Sequence, residues 1–522
     1  MVSKTRDQPD FSSNNAARLA CRRVLQTGAA LAMFVLSGTA SAQEFTAPSW
    51  LSDVIIAPHG NIATSAIPAP ISAMPLGASR LDAVGLLSPA VTGLPANLWG
   101  PSETRELARL FRALPPDGLP AMLSFTQSLA LAELDAPVDA GPDPVLLLAR
   151  IDMLLARGAL QPARALTERA GPTEPQLFRR FFDISLLTGQ ADRACAAMRA
   201  NPDIAPAFPA RIFCLARTGD WSAAALSLGT GAALGHIPDA EADLIARFLD
   251  PELFEGEPPL PPDPAITPLF YTMRAAVGER PAATGLPPAF SYADLADVAG
   301  WRAQLAAAER LIRHNAIAPQ EWLAIATTHS SSISGDIWER ARLLAAVDAA
   351  ILAGDVGAVA DLLPNAVAAM DEAGLTVAFA TIYGEALMRL PLTGDSVEVA
   401  HRIGLLSPAY ERLATRATPQ TRQEACLFAL ARGEATAAPS RDPLSLAVAE
   451  AFRASDRPQR YARTIIDGRL GEALLSAVMV LMSDGADGDD VADALRLFRT
   501  FGLEDTARRA ALQILLLDTF AA

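Results

Sequence analysis

A glycine with an alanine five residues behind it recurs along this chain. The pairs are Gly158 and Ala163, Gly189 and Ala194, Gly219 and Ala224, then Gly433 and Ala438, Gly468 and Ala473, Gly502 and Ala507. Successive glycines lie 31 and 30 residues apart in the first group and 35 and 34 apart in the second. Gly354 and Gly394 carry Val359 and Val399 at the same offset. A period this long belongs to a supersecondary unit, not to a single helix or strand. Glycine closes a helix by entering the left-handed conformation. A small side chain soon after the turn then lets the next helix cross close to the first. Leu154 and Leu155 before one glycine and Leu166 after it supply apolar faces that a single hairpin cannot bury, so neighbouring hairpins must stack. Composition agrees. The chain is 51% hydrophobic but only 6% aromatic, and alanine and leucine, which carry the excess, lose little entropy in a helix. The expected fold is all-α: a right-handed α-solenoid of antiparallel helix pairs.

The stretch RTGDWSAAAL, Arg217–Leu226, sets glycine, an acid, an aromatic and a small residue in order. It resembles the helix–turn–helix junction of the tetratricopeptide repeat family. Pro175 and Pro206, each 17 residues after a repeat glycine, stand where that family ends its second helix. The chain departs from the pattern at Ile151, Phe182 and Ile212, where the family has a small residue, and its first two spacings fall short of the family's roughly 34 residues. The resemblance covers residues 145–235 and, more loosely, 340–520. It implies a continuous concave face, lined by the first helix of each hairpin, that binds other proteins, with Trp221 packed inside its hairpin. Arg179 and Arg180 are the candidate partner contacts on those first helices; solvated surface arginines are the alternative.

Cys195 and Cys214 sit on successive helices and are nearly equidistant from the turn at 201–206. Antiparallel packing brings such positions level, near the ~5.5 Å between Cα atoms that a disulfide needs. Either a bridge or two buried thiols fits this placement; Cys426 is left as an unpaired core residue.

The first 42 residues read as a secretion signal. Lys4, Arg6, Arg18, Arg22 and Arg23 precede an apolar run from Gly28 to Leu36, and Ala40-Ser41-Ala42 offers the small-x-small pattern of a cleavage site. Arg22-Arg23 admits the twin-arginine route, although Cys21 replaces its usual hydroxyl residue; general secretion is the other route. The expected location is the periplasm, with cleavage after Ala42. Residues 43–100 are apolar yet broken by prolines, and read as an extended arm lying on its own helical body or offered to a partner. Helical repeats are expected over 101–253, a proline-dense linker over 254–268, and further helical repeats over 269–522.

Little in the chain points to chemistry. The net charge is −15, and the leader would remove more bases than acids, so nucleic acid is a poor partner. No run of about 18 apolar residues follows the leader, so no transmembrane segment is expected in the mature chain. The five histidines have no ligand spacing, and neither HExxH nor GxSxG occurs. Gly229–Gly235 has glycines like a dinucleotide loop, but an Ala-rich helix precedes it where a strand is required, so it reads as an inter-repeat turn. Ser483–Asp490 clusters aspartates that suit a helix cap better than a calcium loop. The Glu-Ser pair of lytic transglycosylases is absent. No cofactor, metal or catalytic residue is therefore expected. The function expected is that of a non-enzymatic scaffold or adaptor for proteins of the cell envelope. A peptidoglycan-binding or peptidoglycan-acting protein and a self-associating structural component, a homo-oligomer, are the alternatives.

Overall fold

The computed structural model describes residues 48–52, 80–263, 265–296, 298–330, 335–434, 438–453, 458–483 and 485–517. The leader and its cleavage site lie outside these. The fold is all-helical, and among the described residues the sole β pairing is an isolated bridge between Leu87 and Ala132. A one-turn helix α1 (Pro89–Thr92) is followed by α2 (Thr104–Ala113), α3 (Pro120–Leu131), α4 (Val145–Ala156), α5 (Leu160–Ala170), α6 (Pro175–Leu187), α7 (Ala191–Ala200), α8 (Phe208–Arg217), α9 (Trp221–Ala233) and α10 (Asp239–Leu249). Beyond the proline-rich segment come α11 (Pro268–Ala276), α12 (Trp301–Arg313), α13 (Pro319–Thr327), α14 (Asp336–Ala353), α15 (Val356–Glu372), α16 (Thr376–Leu387) and α17 (Asp395–Leu406). The last group is α18 (Tyr410–Arg416), α19 (Arg422–Ala431), α20 (Pro443–Arg453), α21 (Ala462–Ile466), α22 (Leu470–Leu481), α23 (Gly488–Thr500) and α24 (Glu504–Leu516).

Local chemistry sets these boundaries. Prolines open α3, α6, α11 and α13, at the position where a missing N–H costs nothing. Side chains of Glu174, Asp220, Thr267, Asp355 and Thr421 accept from the free N–H groups of the first turns. The six repeat glycines all adopt φ between 71° and 86°. Ala163, Ala194, Ala224, Ala473 and Ala507 follow inside the next helix, fully buried.

Ala438 is an exception. It lies outside any helix, because Pro439 directly after it disfavours the helical conformation, and α20 begins only at Pro443. Pro175 likewise opens a helix instead of ending one; Gly171, at φ 81°, ends α5.

Consecutive helices pack on one another through most of the chain. The proline-rich stretch 254–268 does not divide the interior. Leu244 and Ile245 before it share one hydrophobic core with Leu269 and Met273 after it, together with Phe178, Phe182 and Phe213. Arg247 donates to the Pro258 carbonyl and Arg274 to that of Pro261, which fastens the stretch to α10 and α11.

A larger core runs through the rest, and in it the first helices meet the last. The Ala121 N–H donates to Gln513 Oε1 across 392 residues, and Phe125 stands edge-on to Phe498 at 5.0 Å. In an open stack each hairpin touches only its neighbours; here α3 rests on α24 and α2 on α22. Leu98 and Trp99, in the apolar stretch before α2, are buried against α22, whose Gly471 N–H donates to the Leu98 carbonyl.

Buried Arg150 holds the start of the same region. It donates to the carbonyls of Ala130 and Ala132 at the end of α3 and to that of Asp82, while Asp82 accepts from the Leu147 N–H. Burial pushes the Arg150 guanidinium down to about 10, and the three carbonyls replace the water it gives up.

Candidate functional site

Helix α6, PQLFRRFFDISLL, carries three charged residues among its phenylalanines. Ordinary surface helices keep charges on one exposed face. This one is enclosed on nearly all sides, by α5, α7, α11, the 3-10 helix Pro288–Leu295 and a piece of the N-terminal arm. Its charges therefore turn inward and must find partners. Arg180 is 2% exposed and sets Nε and Nη2 on the Asp152 carboxylate of α4, at 2.6 and 2.9 Å. Its Nη1 donates to the Gln176 carbonyl, and Arg112 of α2 approaches the same Asp152 at 3.4 Å. Arg180 is thus an internal strut between helices and not a surface for a partner.

Arg179 points elsewhere. Its Nη2 donates to the carbonyl of Leu51, at 2.9 Å. Leu51 belongs to the short stretch Trp50-Leu51-Ser52, which lies along α6 with all three residues buried. Asp183, one turn farther along the helix, accepts the Ser52 N–H on Oδ2 at 2.8 Å and the Ser52 hydroxyl on Oδ1 at 2.5 Å. Trp50 stands edge-on to Phe290, with ring centroids 5.6 Å apart, and Phe290 stands edge-on to Tyr271 at 5.2 Å. The segment is held in three ways: by a guanidinium on the Leu51 carbonyl, by a carboxylate on the Ser52 N–H and hydroxyl, and by an aromatic corner against the Trp50 ring.

Full burial pushes the Asp183 carboxyl up to about 7, against the pull of the two Ser52 hydrogen bonds and of the Arg179 and Arg180 charges. When ionised, the carboxylate accepts both Ser52 donors. When protonated, it can donate to the Ser52 oxygen, so the contact survives in either state. Unfolded, the group returns to its ordinary value near 3.8. Between these two values the folded chain holds a proton that the unfolded chain releases, so stability falls as pH rises from about 4 to about 7 and then levels off. Asp183→Asn mimics the protonated form and should lack this slope. Urea unfolding at pH 5 and pH 8 checks it: the wild-type chain should gain on the variant at pH 5, and parallel behaviour would show that Asp183 titrates normally.

The other residues singled out from the sequence fall apart in space or prove structural. Cys195 and Cys214 are joined in a disulfide, with Cα atoms 5.2 Å apart, at the edge of a 260 Å³ cavity flanked by Arg199 and Arg211. Cys426 is a free, half-buried thiol. Trp221 is not buried inside its hairpin: it is 50% exposed in the first turn of α9. Gly229 to Ala233 belong to α9, with Gly231 packed closely against Phe208 and Ile237, and the turn comes at Leu234 and Gly235. Asp487 caps α23 by accepting the Asp489 N–H. Among the described residues no three His, Cys, Asp or Glu side chains group as a metal site, and no helix is long and apolar enough to cross a membrane.

Asp183 and Ser52 were not singled out from the sequence. A signal existed in FRRFFD: an acid flanked by phenylalanines is either exposed by chance or buried for a partner. Its partner lies 131 residues away. No known family matches the chain, and comparison with curated proteins and with solved structures finds none similar to it.

Proposed function

We propose that this protein is a non-enzymatic, tetratricopeptide-like scaffold or adaptor that binds other proteins in the cell envelope. Its helix pairs are read as a right-handed solenoid whose first and last hairpins have come into contact. One observation carries the binding role. Helix α6 holds the turn at Ser49-Trp50 and the Leu51-Ser52 peptide after it through main-chain and side-chain groups together, the kinds of contact by which proteins also recognise peptides. Location in the periplasm rests on the basic and apolar leader that ends at Ala42. A disulfide between Cys195 and Cys214 suits such an oxidising compartment.

The experiment is crosslinking in living cells with the mature chain tagged at its C-terminus, followed by identification of the products. Recurrent capture of one or a few envelope proteins is the expected result. Capture of glycan fragments alone, or of this chain alone, would overturn the adaptor reading in favour of a wall-binding or a self-associating protein.

A further inference from the structure

We propose that the cavity between α7 and α8, beside the Cys195–Cys214 disulfide, binds a small carboxylate with an apolar body of about eight carbons, such as a medium-chain fatty acid. The inference stands apart from the adaptor reading and rests on a different part of the molecule.

One face of each helix makes the cavity. Cys195, Met198, Arg199 and Pro202 line it from α7 and the turn that follows, and Arg211, Cys214, Leu215 and Thr218 line it from α8. Each set runs i, i+3, i+4, i+7, the spacing of a single stripe along a helix. The disulfide pins the two stripes together with Cα atoms 5.2 Å apart, and a space of 260 Å³ lies between them. Its wall is apolar. The disulfide, Met198, Pro202 and Leu215 contribute sulfur and carbon, and the one hydroxyl, that of Thr218, is already spent on the carbonyls of Cys214 and Leu215. Such a wall draws an apolar body out of water. An apolar cavity of about 150 Å³ is enough for benzene, so this one has room for a chain of about eight carbons.

The charge at one end selects the head group. In an antiparallel pair with Cys195 beside Cys214, Arg199 and Arg211 fall on the side of the disulfide nearer the turn, and Leu215 and Thr218 on the other. The Arg211 Nη2 confirms this by donating to the Pro202 carbonyl at 3.0 Å. Both arginines are exposed, and neither forms a salt bridge among the described residues. Their neighbours Arg193 and Arg217 are matched by Glu168 and Asp192. Residues 191–217 carry four arginines against two aspartates, a local excess of positive charge in a chain of net charge −15. The space is thus apolar along its length and positive at one end. A chain ending in a carboxylate complements it: the carboxylate meets the two guanidiniums, and the tail lies over the disulfide toward Leu215. A cation with the same tail meets like charge, and a neutral alcohol gains from its tail alone.

The test is isothermal titration calorimetry of the mature, oxidised chain with octanoate, butanoate, octylammonium and octan-1-ol. Octanoate should bind with a Kd of about a millimolar or lower. Butanoate, with its shorter tail, should bind at least about tenfold more weakly, and so should octylammonium. Arg199→Ala combined with Arg211→Ala should weaken octanoate at least about fivefold and leave octan-1-ol unchanged. Circular dichroism checks that this variant keeps its helices; the octylammonium comparison on the unaltered chain decides the charge preference without it. A separate readout fixes the place. Saturating octanoate should slow reduction of the disulfide by dithiothreitol at least about threefold, followed by alkylation of the released thiols and mass spectrometry. No binding of octanoate at about 5 mM would overturn the proposal. Octylammonium binding as well as octanoate, indifference to the two arginines, or unchanged reduction with octanoate bound would do the same. A peptide ending in a free leucine carboxylate that binds at least about tenfold more tightly than octanoate would give the cavity to a partner's C-terminus and overturn the small-molecule assignment. None of these outcomes bears on capture of envelope proteins by crosslinking, so the two readings fail separately.

Discussion

Asp152→Ala should cost the protein about 3–5 kcal/mol of stability, a large share of what a folded chain has to lose. Asp152 on α4 is 2% exposed and receives Arg180 of α6 through two short hydrogen bonds, with Arg112 of α2 at its side. Without the carboxylate, the Arg180 guanidinium stays inside with the Gln176 carbonyl as its one other acceptor among the described residues, and little water can reach it. The loss is therefore mainly that of an orphaned cation, not of an ion pair's net attraction. This makes a second expectation. Asp152→Leu combined with Arg180→Leu should restore much of the stability, because the Arg180 charge is no longer stranded, while Arg112, 17% exposed, still loses its Asp152 contact. Urea unfolding of the three variants measures both. A loss below about 1 kcal/mol for Asp152→Ala would mean that Arg180 reaches solvent.

Gly471→Ala should destabilise the chain by about 2 kcal/mol, against the trend of helix propensity. Gly471 lies in the first turn of α22, where propensity alone favours alanine by up to about 1 kcal/mol. A Cβ there would stand 2.4 Å from Cε3 and 2.7 Å from Cζ3 of Trp99. Trp99 is 2% exposed and edge-on to Phe111 at 6.0 Å, so it has no room to retreat. Overpacking of this kind costs roughly 1–3 kcal/mol or more. The glycine is needed so that the stretch before α2 can lie against α22, in the region where the first helices meet the last. Thermal or urea unfolding gives the sign directly. A stabilised Gly471→Ala variant would mean that the Trp99 contact does not form in solution.

What could be read from the sequence was local. The glycine that ends one helix and the alanine buried five residues on are fixed by turn geometry within a single hairpin, so Gly158 with Ala163 and Gly502 with Ala507 stood out. Cys195 and Cys214 were legible for the same reason, being 19 residues apart across one turn. The pattern misled at Ala438, where Pro439 overrides it, and at Trp221, which stays half exposed.

The site itself was half legible. Arg179 and Arg180 were singled out together, yet one holds the chain's own arm and the other is a buried strut. Nothing in RR distinguishes them, because their environments are set by Leu51 and by Asp152, 128 and 28 residues away. The meeting of α3 with α24 spans nearly the whole chain and leaves no periodic trace.

Hydrogen exchange at the Ser52 amide tests the central claim, that a segment of chain is held against α6, most directly. That N–H donates to a fully buried carboxylate and lies in a buried stretch, so it exchanges only when the segment leaves α6. In the mature chain near neutral pH the amide should exchange at least about tenfold more slowly than in an unstructured peptide of the same sequence, and Asp183→Ala should abolish most of that protection. Exchange at the peptide's own rate in the unaltered chain would contradict the account: α6 would not be holding the segment in solution.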